Sequence, residues 1–256
     1  MATIERIPQL QKERPRPRGS RKLLWLVIVF FLALSAVLFF KSSISRISEI
    51  KIVGNVYATD TEIEQAAGLR VGDPFFFLDR TAIERRITKL PPVKSARVAT
   101  RFPGSVIVRV QEYAEAAYEI SADGKVSVVL ANGSTVKPGS DGISLNRPVL
   151  SGWSDQDKTK AQLCQVLAAI PEEKLADISE IRPDPSVSYP DKIKMFTRSR
   201  FEVITTVSYL KQKLDVMATI IADKDPGIIT LLEADTHKPF SPVNEPTEDE
   251  SGHTQD

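Results

Sequence analysis

Between Leu23 and Phe40 the chain runs for eighteen residues without a charge, and Ser35 is the only polar side chain among them. As a helix this stretch is about 27 Å long at 1.5 Å per residue, close to the hydrocarbon thickness of a bilayer. A helix pairs its own backbone groups, so lipid leaves none of them unsatisfied. Fourteen of the eighteen residues are Leu, Ile, Val or Phe. At about −0.3 to −0.6 kcal/mol each, insertion gains roughly 4 to 8 kcal/mol. The core helix of a soluble protein would rarely run so far without a polar face. Residues 23–40 therefore predict a transmembrane helix, and the rest of the chain is organised around it.

The flanks orient it. Residues 1–22 hold seven basic side chains (Arg6, Lys12, Arg14, Arg16, Arg18, Arg21 and Lys22) against Glu5 and Glu13, a net charge of +5. The ten residues after Phe40 carry only Lys41, Arg46 and Glu49. Short basic flanks stay on the cytoplasmic side, which places the N-terminus inside and everything after the span outside. A cleaved signal peptide would have a shorter apolar stretch and a small-x-small site, whereas Phe39-Phe40-Lys41-Ser42-Ser43 follows here. The expectation is an uncleaved single-pass type II anchor. Its tail, residues 1–22, is polar and carries Pro8, Pro15 and Pro17, so it reads as a disordered cytoplasmic segment.

Composition removes several functions. The net charge of the 256 residues is +1, with no uniform basic field for nucleic acid. Cys164 is the one cysteine, so no internal disulfide forms. Both histidines, His237 and His253, fall at or beyond the edge of the last structured stretch. The expected folded body thus has no Ser-His-Asp or Cys-His arrangement, and no Cys/His zinc cluster.

After the span the chain reads as two α+β domains. In the first, residues 46–114, Ile50 and Ile52 alternate with charged neighbours as a half-buried strand. Thr59-x-x-Glu62 is a capping box opening a helix, and Gly68 stands where a helix-ending glycine belongs. Asp79 can cap a second helix with buried stripe Ile83, Ile87 and Leu90. Ala96 and Val98 mark a strand, Phe102-Pro103-Gly104 a tight turn, and Val106, Val108 and Val110 the inner face of the returning strand. The order is β-α-α-β-β.

The second domain, residues 115–234, begins as a meander. Asp123-Gly124 and Asn132-Gly133 separate apolar runs as hairpin turns. Ser154 reads as the cap of a helix with stripe Leu163, Val166, Leu167 and Ile170. Strands follow at 178–181, 192–196 and 201–204, with Arg198-Ser199-Arg200 as a turn. Val207, Leu210, Leu214, Met217 and Ile221 have helical spacing. Ile228 to Leu232 is the final predicted strand. As the last one it either lies at a sheet edge, open to another chain, or is paired on both sides within its own sheet. Residues 235–256 hold six acids and Lys238, a net charge of −5, with three prolines. They read as a disordered acidic tail.

Catalysis is not predicted. Ser-x-x-Lys, the nucleophile motif of penicillin-binding enzymes, occurs at Ser48, Ser134 and Ser208. Three hits in one chain without a following Lys-Thr-Gly point to chance. Asp177, Glu180, Asp184 and Asp191 could supply a glycosidase pair, yet spacing places no two of them across a cleft. No glycine-rich phosphate loop is present. No cofactor, metal, nucleic acid or small-molecule substrate is expected.

The β-α-α-β-β order, with Ile52-Val53-Gly54-Asn55, Arg101-Phe102-Pro103 and Val108-Arg109-Val110-Gln111-Glu112, resembles a POTRA domain. An N-terminal anchor followed directly by one such domain is similar to the DivIB/FtsQ family of division proteins, and Ile4-Glu5-Arg6-Ile7-Pro8-Gln9-Leu10 resembles the start of its Gram-positive DivIB members. The resemblance spans roughly Ile4 to Leu232. It implies a non-catalytic divisome scaffold enriched at the division septum. The implied partners are DivIC/FtsB-type and FtsL-type single-span proteins and a septal penicillin-binding protein. It favours the edge placement of the last strand, hence Thr230, Leu231 and Leu232 as docking residues. A POTRA edge strand around Ile107 and Arg109 would assist. It also puts a glycine in the turn where this chain has Arg198-Ser199-Arg200. The alternatives are a membrane-anchored wall hydrolase or transpeptidase-like enzyme, and a POTRA-type export chaperone.

Overall fold

A computed structural model describes residues 21–121, 123–139, 146–154 and 157–240. The expected tail to residue 20, and the acidic segment after Phe240, lie outside the described residues. The chain divides into two compact units. One comprises the chain up to Ile50 with 70–78 and 100–106, and the other 51–69, 79–99 and everything from Ile107.

In the first unit, helix α1 (Arg21–Lys41) contains the whole apolar stretch. It is the one described helix long and apolar enough to cross a membrane, with a mean hydropathy of 2.9 over an 18-residue window. Ser45 Oγ ends it by donating to the Phe40 carbonyl at 2.7 Å and the Ser42 carbonyl at 2.9 Å. Backbone bonds from Ile47 N to Asp73 O (2.8 Å), Phe75 N to Ser45 O (2.9 Å) and Ser48 N to Gly104 O (2.8 Å) then fasten three short segments together. Gly104 has room for no side chain, since a Cβ there would meet the Arg46 carbonyl oxygen at 2.5 Å.

The expected β-α-α-β-β order is present as β1 (Glu49–Val53), α2 (Asp60–Ala67), α3 (Arg80–Ile87), β2 (Val93–Arg101) and β3 (Ser105–Glu112). Local chemistry fixes both helix starts. Thr59 and Glu62 form the reciprocal capping box, and Asp79 accepts from Ala82 N at 3.0 Å. Gly68 closes α2 in the left-handed conformation at φ 62. Ile63, Ile83, Ile87, Val106, Val108 and Val110 are buried, as the periodicity requires. The Phe102–Pro103 peptide in the β2–β3 turn is cis.

The strand order, however, is β1-β3-β2. The chain leaves β1, makes two helices, forms the β2–β3 hairpin, and β3 then pairs with β1 on its far side. Ile107 and Arg109 therefore sit on the central strand, not on an edge. The expectation that they line an edge strand is corrected.

The second domain is one nine-stranded sheet, completed by three helices. Its elements are β4 (Glu115–Ile120), β5 (Val126–Leu130), β6 (Thr135–Val136), β7 (Val149–Leu150), α4 (Lys158–Ala168), α5 (Glu172–Leu175), β8 (Ile178–Pro183), β9 (Lys192–Thr197), β10 (Glu202–Thr206), α6 (Val207–Asp223), β11 (Gly227–Leu231) and β12 (Asp235–Pro239). The order is β12-β11-β10-β9-β8-β7-β4-β5-β6. Pairing is mainly antiparallel, with parallel contacts at β4–β7, β7–β8 and β10–β11. One core joins Leu163 and Leu167 of α4, Leu210 and Met217 of α6, and sheet residues from Ala117 to Leu231. On the opposite face Tyr118, Val128 and Leu130 form a smaller cluster with Tyr57 and Tyr113 against it.

Two expectations fail here. The cap of α4 is Asp157, whose carboxylate accepts from Thr159 N at 2.8 Å, not Ser154. Disorder from residue 235 is also wrong over Asp235–Pro239, which is strand β12, paired antiparallel with β11.

Two consequences are directly measurable. Cys164 is fully buried, and burial pushes its thiol up to about 12. At pH 8 such a thiol is roughly 10⁻⁴ ionised, against about a quarter for an ordinary cysteine. An aromatic disulfide reagent is expected to label the native chain about a thousandfold more slowly than the unfolded one. The second concerns Arg200, which ends the β9–β10 turn at φ 67. A non-glycine residue there costs about 1–2 kcal/mol, while glycine costs roughly 0.5–1 kcal/mol in unfolded-chain entropy. Arg200→Gly is expected to stabilise the chain by about 0.5–1 kcal/mol, read as a raised urea midpoint.

Candidate partner-binding surface

The free edge of the large sheet is built by its last three elements. Thr206 caps α6 by accepting from Tyr209 N at 3.1 Å, and Asp191 receives Ser208 N at 3.0 Å and Ser208 Oγ at 2.6 Å. The helix buries Val207, Leu210, Leu214 and Met217 on the sheet. This crossover lets β11 run parallel to β10, with Glu202 opposite Ile228 and Thr205 opposite Leu231. Thr205 Oγ1 donates to the Leu231 carbonyl at 2.8 Å and fastens the end of that pair. Ile229 and Leu231 point into the core and are fully buried.

The chain then bends at 232–234 and returns as β12. Ile229 faces His237, and Leu231 faces Asp235. Lys213 Nζ reaches both Asp235 carboxylate oxygens at 2.7 and 2.9 Å, clasping the strand to α6. His237 Nε2 lies 3.0 Å from the Asp225 carbonyl, with its ring 6.0 Å from that of Phe201. Gly227 lets the two strands meet, because a Cβ there would lie 2.3 Å from the Lys238 carbonyl oxygen. All of β12 except the half-buried His237 is exposed. Among the described residues nothing pairs with its outer side, so alternate N–H and C=O groups face away from β11 and are open to another strand. Pro239 lacks an N–H and limits how far such pairing extends.

Thr230 and Leu231 lie on β11, flanked on both sides by strands, and Leu232 is half-buried in the following bend. The edge placement expected of them is corrected: the edge belongs to β12, one strand further on. Sequence reasoning missed β12 because Asp-Thr-His-Lys-Pro has no apolar alternation. The usable signals were weak, a proline at a strand end and a short bend before a β-compatible Thr236.

At the end of β3, the Glu112 carboxylate accepts three backbone N–H bonds, from Val56 (3.0 Å), Tyr57 (2.9 Å) and Ala58 (2.9 Å). Tyr57 in turn donates to Glu115, and its hydroxyl pKa is raised, first by burial and then by that carboxylate. The clamp holds the loop after β1 beside the start of the large sheet.

The residues weighed for chemistry have structural partners instead. Ser134 Oγ donates to Asn132 Oδ1 at 2.7 Å within the β5–β6 turn, and Ser208 is part of the α6 cap. Glu180 is held by Arg182 at 2.8 Å and by Ser151, and the Arg182 hydrogen bond lowers its pKa. Asp184 pairs with Lys192 at 3.0 Å, and Asp177 accepts from Ser199 Oγ at 2.8 Å. Among the described residues no group of three or more His, Cys, Asp or Glu side chains is placed to hold a metal ion.

Comparison with known proteins covers both domains. Residues 45–113 match the family model described as POTRA domain, FtsQ-type, and 117–234 match cell division protein FtsQ/DivIB, C-terminal. The chain is 44% identical over 236 residues to the cell division protein DivIB of Paenibacillus polymyxa (strain E681), covering 92% of this chain and 93% of that protein. It is 26% identical over 223 residues to DivIB of Bacillus subtilis (strain 168), covering 85% and 82% respectively. The solved major extracytoplasmic domain of the trans isomer of DivIB from Geobacillus stearothermophilus matches at 29% identity and a TM-score of 0.37, covering 44% of this chain and 93% of that one.

Proposed function

We propose, from the premise that the chain belongs to the FtsQ/DivIB family of cell division proteins, that it acts as a septal scaffold without catalysis, holding membrane partners by protein contacts. It is a cell division protein with one N-terminal apolar helix. That helix spans the membrane with its basic tail in the cytoplasm and both domains outside. The partners are single-span proteins of the DivIC/FtsB and FtsL types, and through them a septal penicillin-binding protein.

The observation that supports this reading is the exposed outer side of β12, where main-chain groups are available for strand addition. Thr236 and Lys238 take over the docking role first assigned to Thr230–Leu232. The test uses the full chain in dividing cells, with a photo-crosslinking residue at Thr236, Lys238 or the fully exposed Val187. Septal fluorescence and crosslinks to division partners from 236 and 238, with none from 187, are the expected result. Crosslinks from 187 alone, or uniform membrane fluorescence, would overturn it.

A further inference from the structure

Within the first compact unit, the end of the apolar helix and two loops of the first domain form one aromatic surface. The Phe39 and Phe40 rings, last of the apolar stretch, lie 5.6 and 6.3 Å from the Phe76 ring, and Phe40 is 5.8 Å from Phe77. Phe102, in the β2–β3 turn, is 6.4 Å from Phe76. These rings are not core. Phe75 is buried, whereas Phe76, Phe77 and Phe102 are 47%, 77% and 59% exposed, with Val71 beside them in sequence at 65%. The loops that carry them are pinned by the backbone bonds at Ile47, Ser48 and Phe75, so their outward aim is a property of the fold.

We propose that Phe76, Phe77 and Phe102 enter the lipid headgroup–acyl boundary beside the C-terminal end of α1, making the bilayer surface a second attachment site for the first domain. The proposal rests on the membrane-anchor reading above. Continuity argues for lipid over a protein partner: Phe39 and Phe40 close the membrane-spanning stretch, so rings in contact with them stand at the same depth. Phe side chains on the apolar side of a membrane-surface segment bury in that boundary, and a contiguous exposed apolar patch calls for a covering surface. Exposed Arg46, Arg70 and Arg101 belong to the same unit and suit the anionic headgroups flanking such an insertion.

The experiment reconstitutes the full chain in vesicles of phosphatidylcholine and phosphatidylglycerol, with single spin labels at Phe77→Cys, Phe102→Cys, Leu34→Cys or Val187→Cys. The native Cys164 is buried and stays unlabelled. Collisions with oxygen report lipid, and collisions with a water-soluble nickel chelate, present on both sides of the membrane, report water. The expected result is that labels at 77 and 102 show oxygen access and severalfold less chelate access than 187, at a depth on the order of 5 Å below the phosphates. If 77 and 102 match 187 while 34 reports lipid, the anchor stands and the insertion is wrong. Shielding of 77 from both reagents would mean a protein covers the patch, which also overturns it. A water-exposed label at 34 would remove the anchor and this proposal together.

Discussion

Gly227→Val is expected to lift β12 off its sheet while the remaining strands stay folded and, on the docking proposed above, to reduce capture of division partners by tenfold or more. Gly227 is buried, and a Cβ there would meet the Lys238 carbonyl oxygen at 2.3 Å, Pro239 Cα at 2.7 Å and His237 Nε2 at 2.9 Å. Two of these are backbone atoms of the neighbouring strand, so no rotamer change relieves the contact. The side that yields is the weaker one. β12 buries almost nothing and is held by its ladder, the Lys213–Asp235 pair and the His237 contact. Such bonds contribute about 0.5–1.5 kcal/mol each, and an exposed ion pair less. β11, by contrast, sends Ile229 and Leu231 into the core. Ordinary overpacking costs about 1–3 kcal/mol, and a Cβ 2.3 Å from a backbone oxygen is a harder contact than that, so the strand without core side chains is the one displaced. Hydrogen exchange should show protection lost at β11 and β12 only, and co-purification from detergent should show partner capture lost with it. Undiminished capture by a chain whose β12 has come away would remove the edge as the docking site.

Gly54→Ala is expected to destabilise the first domain by about 3 kcal/mol or more, combining two independent costs. Gly54 has φ +90, which an L-residue occupies only with strain of about 1–2 kcal/mol. An added Cβ would also lie 2.2 Å from the Val110 carbonyl oxygen, inside the strand that carries the domain's buried valines. The loop that follows is the one gripped by Glu112, so displacement at 54 also loosens three backbone bonds. A loss of this size is a large part of the 5–15 kcal/mol available to a domain. Urea unfolding of the full chain in detergent measures it. A midpoint shift worth less than about 1 kcal/mol would show that β1 and β3 can part at no great cost.

Features carried by neighbouring residues were legible in the sequence. The capping box at Thr59 and Glu62, the cap at Asp79 and the Asp-Gly and Asn-Gly turns are chemistry within four residues, and the structure has each of them. Alternation of Val106, Val108 and Val110 correctly gave the buried face of β3. It said nothing about which strands flank β3, because a period of two reports faces and not lateral neighbours. The same blindness left both placements open for residues 228–232, and the family resemblance then put Thr230 and Leu231 at an edge. Leu231 is buried because it faces the core, and burial of a face is compatible with either position. β12 itself was invisible for a different reason: with both faces wet, Asp235–Pro239 has no pattern to detect.

The sheet has one narrow waist. Among the described residues its two halves, β4–β6 and β8–β12, meet in the ladder at Val149 and Leu150, which pair with Tyr118 and Glu119 on one side and Glu180 and Ile181 on the other. Tension applied across the sheet from β12 would concentrate on that two-residue rung. The larger apolar cluster, which takes in Ala117 and Val129 of one half and Ile181, Ile193 and Leu231 of the other, would then carry the load that the two-residue rung cannot.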